Sequence, residues 1–431
     1  MNFNTSKESH ETHWKRIFYP IWTGQAFSLI SSAAVQFALI WWLTTETKSA
    51  MVLSVASIAA LFPQAILGPI IGTLVDRHNR KMIMISSDLS IAFATLILGA
   101  VFAFGSVQVW MIFTLLVVRS IGSAFHTTSF QSSVPLFVPE DQLMRVSGLN
   151  NTIYSASNIA GPALAGIMIA AMPMQYIVLV DVAGACIATS TLAFVKLPQP
   201  VRNESEKKGM IYEMKFGFSE LAKSRGLMMV SLVIGVVTLV IVPVGALFPL
   251  MVNGYFKGSA TQASIVEVAF GSGMLLGSLL LSLWGGFRKK VNTINTAIIL
   301  LGATLIGSGL LPSSGYIGFV AITLLMGLSG PLFGGPYTVL FQTLIAPSVM
   351  GRVLSIVNSM MLILTPIGLF IAGPISDLLG LPFWFLMSGI LITLTGIAGF
   401  FIKSIKDLEN TGKHSHQETS LEAQADRDQI I

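Results

Sequence analysis

Twelve runs of apolar residues dominate the 431-residue chain, at approximately 17–43, 51–75, 82–105, 108–131, 146–170, 176–195, 227–251, 263–284, 292–311, 316–340, 353–376 and 382–402. As a helix, each is long enough to cross about 30 Å of hydrocarbon. Lipid offers the backbone no hydrogen bonds, so segments of this kind must satisfy their own and are expected to be helical. Charged residues make up only 10% of the chain, against roughly 25% in soluble proteins. The expected fold class is therefore all-α integral membrane, with twelve transmembrane helices. The polar stretch 196–225 divides the helices six and six. The expected organisation is a six-helix bundle over 1–195, a central loop over 196–225, a second six-helix bundle over 226–403 and a tail over 404–431.

Charge sets the orientation. Of the 25 Lys and Arg, all but Lys48, Lys257 and the intramembrane Arg119 fall on one side if the first loop is placed outside. By the positive-inside rule that side is the cytoplasm, so both termini and the central loop are expected there. The seven Trp lie near expected helix ends, where amphipathic rings favour the interface. The net charge of +5 is thus a matter of cytoplasmic loops, and no nucleic-acid partner is expected. The single Cys186 lies in an apolar run, where a small core residue is expected, and it excludes a disulfide framework or a CxxC metal site. The first sixteen residues are polar and carry no cleavage-site pattern, so no removable signal peptide is expected.

Two spacings repeat between the halves. Pro139, Arg145, Asn151, Gly161 and Gly166 match Pro347, Arg352, Asn358, Gly368 and Gly373, with Asn at +6 and Gly at +16 and +21 from each Arg. Gly68 and Gly72 likewise match Gly273 and Gly277, each pair preceding a basic loop. Duplicated six-helix halves account for both; close helix packing at small-xxx-small pairs is the other reading of these glycines.

Polar groups inside such helices carry the functional information, because lipid penalises them. Gln25, Ser28, Ser32 and Gln36 follow one face of the first helix. Asn151, Ser155 and Asn158 follow one face of the fifth, and Arg119, Ser123 and His126 one face of the fourth. These stripes are expected either to line a shared wet cavity between the halves or to hydrogen-bond helix to helix. The first and fifth supply the substrate-cavity candidates. Asp88, Arg119, Asp181 and Glu267 are the proton-coupling candidates, since an intramembrane carboxyl can bind a proton or pair with a cationic substrate. Exposure to outside water is the competing reading of Asp181 and Glu267, neutralisation of a nearby Arg that of Asp88, and hydrogen-bonded packing the favoured reading of His126.

No enzyme motif appears. There is no GxxxxGK[ST] nucleotide loop, and His10-Glu11-Thr12-His13 is one residue short of HExxH and lies in a polar tail. The tail after Lys406 reads as solvated and disordered. No enzymatic activity, metal or cofactor is expected. Without nucleotide machinery, uphill transport must draw on an ion gradient, which supplies about 2.3 kcal/mol per charge per 100 mV.

Between the second and third runs lies Gly72-Thr-Leu-Val-Asp76-Arg77-His78-Asn79-Arg80-Lys81, a charged hairpin confined to the membrane surface. Its Gly-x3-Asp-Arg-x-x-Arg-Lys spacing resembles the signature loop of the major facilitator superfamily of secondary transporters. Asn79 stands where that loop has its second Gly, as a residue tolerant of left-handed backbone. Further stretches resemble the macrolide-efflux branch of its drug:proton antiporters: Ser49–Ser54, Ala65–Pro69, Val75–His78, Arg119–Gly122, Ala124–Thr127, Ala246–Leu250, Gly351–Val353 and Phe383–Ile390. The resemblance covers about residues 14–403.

The resemblance implies a conformational latch of Gly72, Asp76, Arg77, Arg80 and Lys81. In it Asp76 sits at the start of helix eleven, and Arg77 and Arg80 pair with acids such as Glu140 or Asp141. It implies proton coupling through Arg119, and a helix-five antiporter motif retained at Gly161, Pro162 and Gly166 but altered at Ser157 and Ala165. The expected function is export of macrolide-like, amphipathic cationic drugs by proton antiport with alternating access. The partners are then the lipid bilayer, the drug and protons; a cooperating efflux ATPase is compatible with the resemblance, though nothing in the sequence shows one. The location implied is the plasma membrane of a bacterial cell. Alternatives are a facilitator of the same fold for another drug, siderophore or metabolite, and a transport-inactive membrane scaffold or sensor.

Overall fold

The computed structural model describes residues 3–195, 197–198, 218–345, 347–406 and 408, without the side chains of 3–13, 69, 76, 347, 348, 351, 352 and 406. Most of the central loop, the tail beyond 408, the His10–His13 side chains and the side chains of Asp76 and Arg352 thus lie outside the described residues. Among those described, twelve helices are long and apolar enough to cross a membrane. They are α1 (Phe3–Thr47), α2 (Ala50–Arg77), α3 (Arg80–Phe104), α4 (Val109–Ser133), α5 (Leu143–Ala171), α6 (Met174–Phe194), α7 (Arg225–Ala246), α8 (Ala260–Trp284), α9 (Lys290–Leu310), α10 (Tyr316–Leu344), α11 (Pro347–Leu379) and α12 (Leu381–Phe401).

The largest departures from the sequence reading are at α1 and α7. Helix α1 begins at Phe3, well before the first apolar run, because polar Lys, Glu and Ser residues sustain a helix outside lipid as readily as Leu does inside. Helix α7 stops at Ala246 rather than 251. A short helical piece, Phe248–Leu250, and a π-helical turn, Met251–Tyr255, follow it. Pro249 has no N–H to continue the α7 ladder, which explains the break.

The chain forms two compact units, Met1–Glu204 with Ala246–Val268, and Ser205–Gly245 with Ala269–Ile431. In the first, α1 packs against α5 and α6, α3 against α4 and α6, and α2 against α4. One apolar core joins Trp14 and Phe18 of α1 to Val134, Val138 and Val146, and a second joins Ile21, Met84 and Leu192. In the second unit α9 packs against α10 and α12.

The internal repeat has a packing counterpart at one pair of glycines. A Cβ at Gly161 would strike Ala33 of α1, including its backbone, and one at Gly368 would strike the Leu239 backbone of α7. Each glycine therefore lets the fifth helix of its half approach the first at backbone distance. The other pair behaves differently. Gly273 and Gly277 abut the Leu324 and Leu328 backbone of α10, whereas nothing lies within 4 Å of a Cβ at Gly68 or Gly72. A second echo comes from the backbone itself. The positive-φ residues other than Gly, among those described, are Lys48 (φ 49°), between α1 and α2, and Lys257 (φ 58°), just before α8.

Two side-chain expectations are corrected. Cys186 is exposed on α6 rather than in a core, since the outer face of a membrane helix is as apolar as its inner one. Asn79 is not left-handed: at φ −69° and ψ 109° it caps α3, its Oδ1 accepting from Met82 N at 3.2 Å. Of the Trp residues, Trp14 and Trp384 are buried in packing and Trp22 lines a cavity.

Candidate functional site

The first unit holds an open cavity of about 270 Å³, lined by residues of α1 to α6. Helix α1 contributes Trp22, Gln25, Ser28 and Ser32, so three of its four expected stripe residues line the cavity; Gln36 is half-buried and does not. From α4 come Ser123 and His126, from α3 Asp88, and from α6 Asp181. The α5 stripe faces elsewhere: Asn151, Ser155 and Asn158 are exposed, and Asn150, Ile153 and Tyr154 line the cavity instead. All the residues that line this cavity belong to the first unit.

At one end stands a buried ion pair. The Arg119 guanidinium of α4 donates to Oδ2 of Asp181 on α6. Ser32 Oγ of α1 donates to Asp181 Oδ1 at 2.5 Å, and Thr95 Oγ1 of α3 to Oδ2 at 3.3 Å. A second nitrogen of Arg119 donates to Ser32 O at 3.0 Å. Four helices thus meet on one carboxylate, and Asp181 is 1% exposed. The reading of Asp181 as a residue exposed to outside water is therefore wrong. Periodicity along one helix cannot show that a facing helix carries the partner charge. Thr95 was missed, although it lies seven residues, about two turns, beyond Asp88 on the same face of α3.

Farther along the wall, Asp88 Oδ2 and His126 Nε2 approach to 3.7 Å, too far for a hydrogen bond. Neither atom has a hydrogen-bond partner among the described residues, nor does Trp22 Nε1, while the Gln25 side chain hydrogen-bonds Asp88. His126 is thus not a residue whose Nε2 is satisfied by packing, and Asp88 faces His126 rather than an Arg. Glu267, on α8, is half-buried and does not line this cavity.

The hairpin between α2 and α3 is tied to the same helices. Arg80 Nη1 donates to Ser132 O at 2.6 Å, at the C-terminus of α4. Lys81 Nζ donates to Ala193 O and Val195 O, each at 2.8 Å, at the C-terminus of α6. Cations on the last carbonyls of a helix satisfy orphan acceptors and oppose the helix dipole. Asp141 accepts from its neighbour Gln142 at 2.8 Å, and Glu140 is exposed. Gly72 is half-buried and Arg77 exposed. In the helix-five motif Gly161, Pro162 and Gly166 are all buried, with Gly166 against Ser264 at the start of α8.

Comparison with known proteins agrees with this architecture. Macrolide efflux protein A of Streptococcus pyogenes is 43% identical over 398 residues, spanning 92% of this chain and 98% of that protein. Macrolide efflux protein A of Enterococcus faecalis is 42% identical over 322 residues, 74% of this chain and 99% of that one. Among solved structures, a bacterial homologue of the human lysosomal transporter Spinster superposes with a TM-score of 0.68 at 13% identity, covering 91% and 97% of the two chains. The family model of the Major Facilitator Superfamily matches residues 21–368, and this twelve-helix chain belongs to that superfamily.

Proposed function

We propose that the protein exports macrolide antibiotics, as amphipathic cations, by proton antiport with alternating access of its two halves. The observation that carries the reading is the 43% identity to a macrolide efflux protein across nearly the whole of both chains. Within that reading the Arg119–Asp181 pair is the proton-coupling element. A carboxylate held by a guanidinium and two hydroxyls releases the guanidinium when it takes up a proton, and the freed charge must find another partner, which biases one conformation over another. Glu267 serves as a further acid on the transport path. Asn151, Ser155 and Asn158 face the cargo route outside the cavity. Gly72, Asp76, Arg77, Arg80 and Lys81 act as the latch, from a hairpin that lies with both termini in the cytoplasm. The membrane gradient is the energy source, and the chain performs no covalent chemistry.

Accumulation of labelled erythromycin in bacteria expressing the protein, with and without a protonophore, tests this. Low accumulation that rises when the gradient collapses, and rises in Asp76→Asn and Asp181→Asn, is the expected result. Accumulation equal to that of cells lacking the protein overturns macrolide export. Low accumulation insensitive to the protonophore overturns the proton coupling alone.

A further inference from the structure

The ion pair and the Asp88 end of the cavity differ in charge. Arg119 and Asp181 neutralise each other. Asp88 is 7% exposed; the Gln25 side chain hydrogen-bonds it, while its Oδ2 has no hydrogen-bond partner among the described residues. Two titratable groups act on it, His126, whose Nε2 lies at 3.7 Å, and the Asp181 carboxylate. Ionising a carboxylate held out of water is costly unless an opposite charge lies beside it, so this end of the cavity favours a cation. Aromatic rings of Trp22, Phe130 and Tyr154 line the same space, and their faces attract cations too.

Size limits what that cation is attached to. Drug-sized ligands occupy pockets of roughly 300–1,000 Å³, and a macrolide, with its lactone ring and sugars, belongs at the upper end. At about 270 Å³, this cavity falls just below that range. That is the scale of a single sugar ring.

We infer that this cavity is a recognition subsite for the protonated amino sugar of the cargo, with Asp88 as its counter-ion and Trp22 as its aromatic wall, while the macrolactone stays outside. The inference rests on the export reading above and deepens it. It separates two acids that a sequence reading groups together: Asp88 selects the cargo, and Asp181 responds to the proton. Gln25, whose side chain hydrogen-bonds Asp88, holds that carboxylate in place beside the sugar.

The test compares export of erythromycin with export of its N-demethylated, N-acetylated analogue, which keeps the macrolactone but has lost the charge. Rates are normalised to the amount of protein in the membrane. Export by the wild type should favour the amine by about tenfold, Asp88→Asn should abolish that preference, and Asp88→Glu should restore part of it. Trp22→Leu should lower the preference without changing the gradient dependence. If the wild type exports amine and amide equally, or if Asp88→Asn lowers both in proportion, the subsite is overturned while macrolide export stands. If the wild type exports neither compound, the export reading fails and the subsite falls with it.

Discussion

Arg119 and Asp181, sixty-two residues apart in sequence, form an ion pair that joins α4 to α6 inside the first unit. Ser32 and Thr95 bring α1 and α3 to the same carboxylate. Desolvating two charges is repaid only when geometry and additional hydrogen bonds satisfy both, and here the hydroxyls and the Ser32 carbonyl do so. Breaking the pair on one side strands the other charge.

Arg119→Leu or Asp181→Leu alone should therefore destabilise the protein by about 3–5 kcal/mol, whereas the double replacement should recover much of the loss. Thermal unfolding in detergent, followed by size-exclusion fluorescence, checks this. A double variant no more stable than the worse single one would show that the pair is not the dominant contact of either residue.

Ser32→Ala removes one donor from the Asp181 carboxylate. The loss of a hydrogen bond to a charged group should cost about 1.5–3 kcal/mol. Ser28→Ala, on the same cavity wall, removes no hydrogen bond to Asp181 and should cost less. The two unfolding midpoints, measured side by side, decide the matter.

The hairpin caps predict a graded series. Asn79→Ala, which loses the N-cap of α3, should cost about 1 kcal/mol. Lys81→Met, which keeps the stem but uncaps the end of α6, should cost about 1.5–3 kcal/mol, the range for hydrogen bonds to charged groups. Proteolysis of the membrane-embedded protein should report the Lys81 change as faster cleavage at the hairpin.

The glycines predict a contrast. Gly161→Ala and Gly368→Ala drive a methyl group into the Ala33 and Leu239 backbone and should each cost about 1–3 kcal/mol, as overpacking does. Gly68→Ala, with open space around it, should be neutral or stabilising, since alanine favours the helix. Comparable losses at all three sites would refute the packing account.

The helices were legible in the sequence because the bilayer makes length and apolarity nearly sufficient: α2 through α6 and α8 through α12 lie within a few residues of the apolar runs. Helix α7 was misjudged because Pro249 ends a ladder without ending an apolar run. The hairpin was found by its charges, but Arg80 and Lys81 turned out to bind helix-end carbonyls, which every helix has and which leave no mark in the sequence. Of the site, the α1 and α4 stripes were legible by periodicity. The Arg119–Asp181 pairing was not, because it depends on how helices are rotated against one another. The α5 stripe points away from the cavity for the same reason, with Tyr154 and Asn150 one residue off the expected face.

The adjacent residues Arg80 and Lys81 hold the C-terminal ends of α4 and α6, the two helices that carry Arg119 and Asp181. The two charges are thus hung from a common yoke: the hairpin clamps one end of each arm, and the ion pair bridges them farther along. Pulling α4 and α6 apart as whole rods would tear at both fastenings together. A swivel about the clamped ends parts the charges while the yoke stays fastened, so strain applied at the hairpin is delivered to one salt link in the membrane interior.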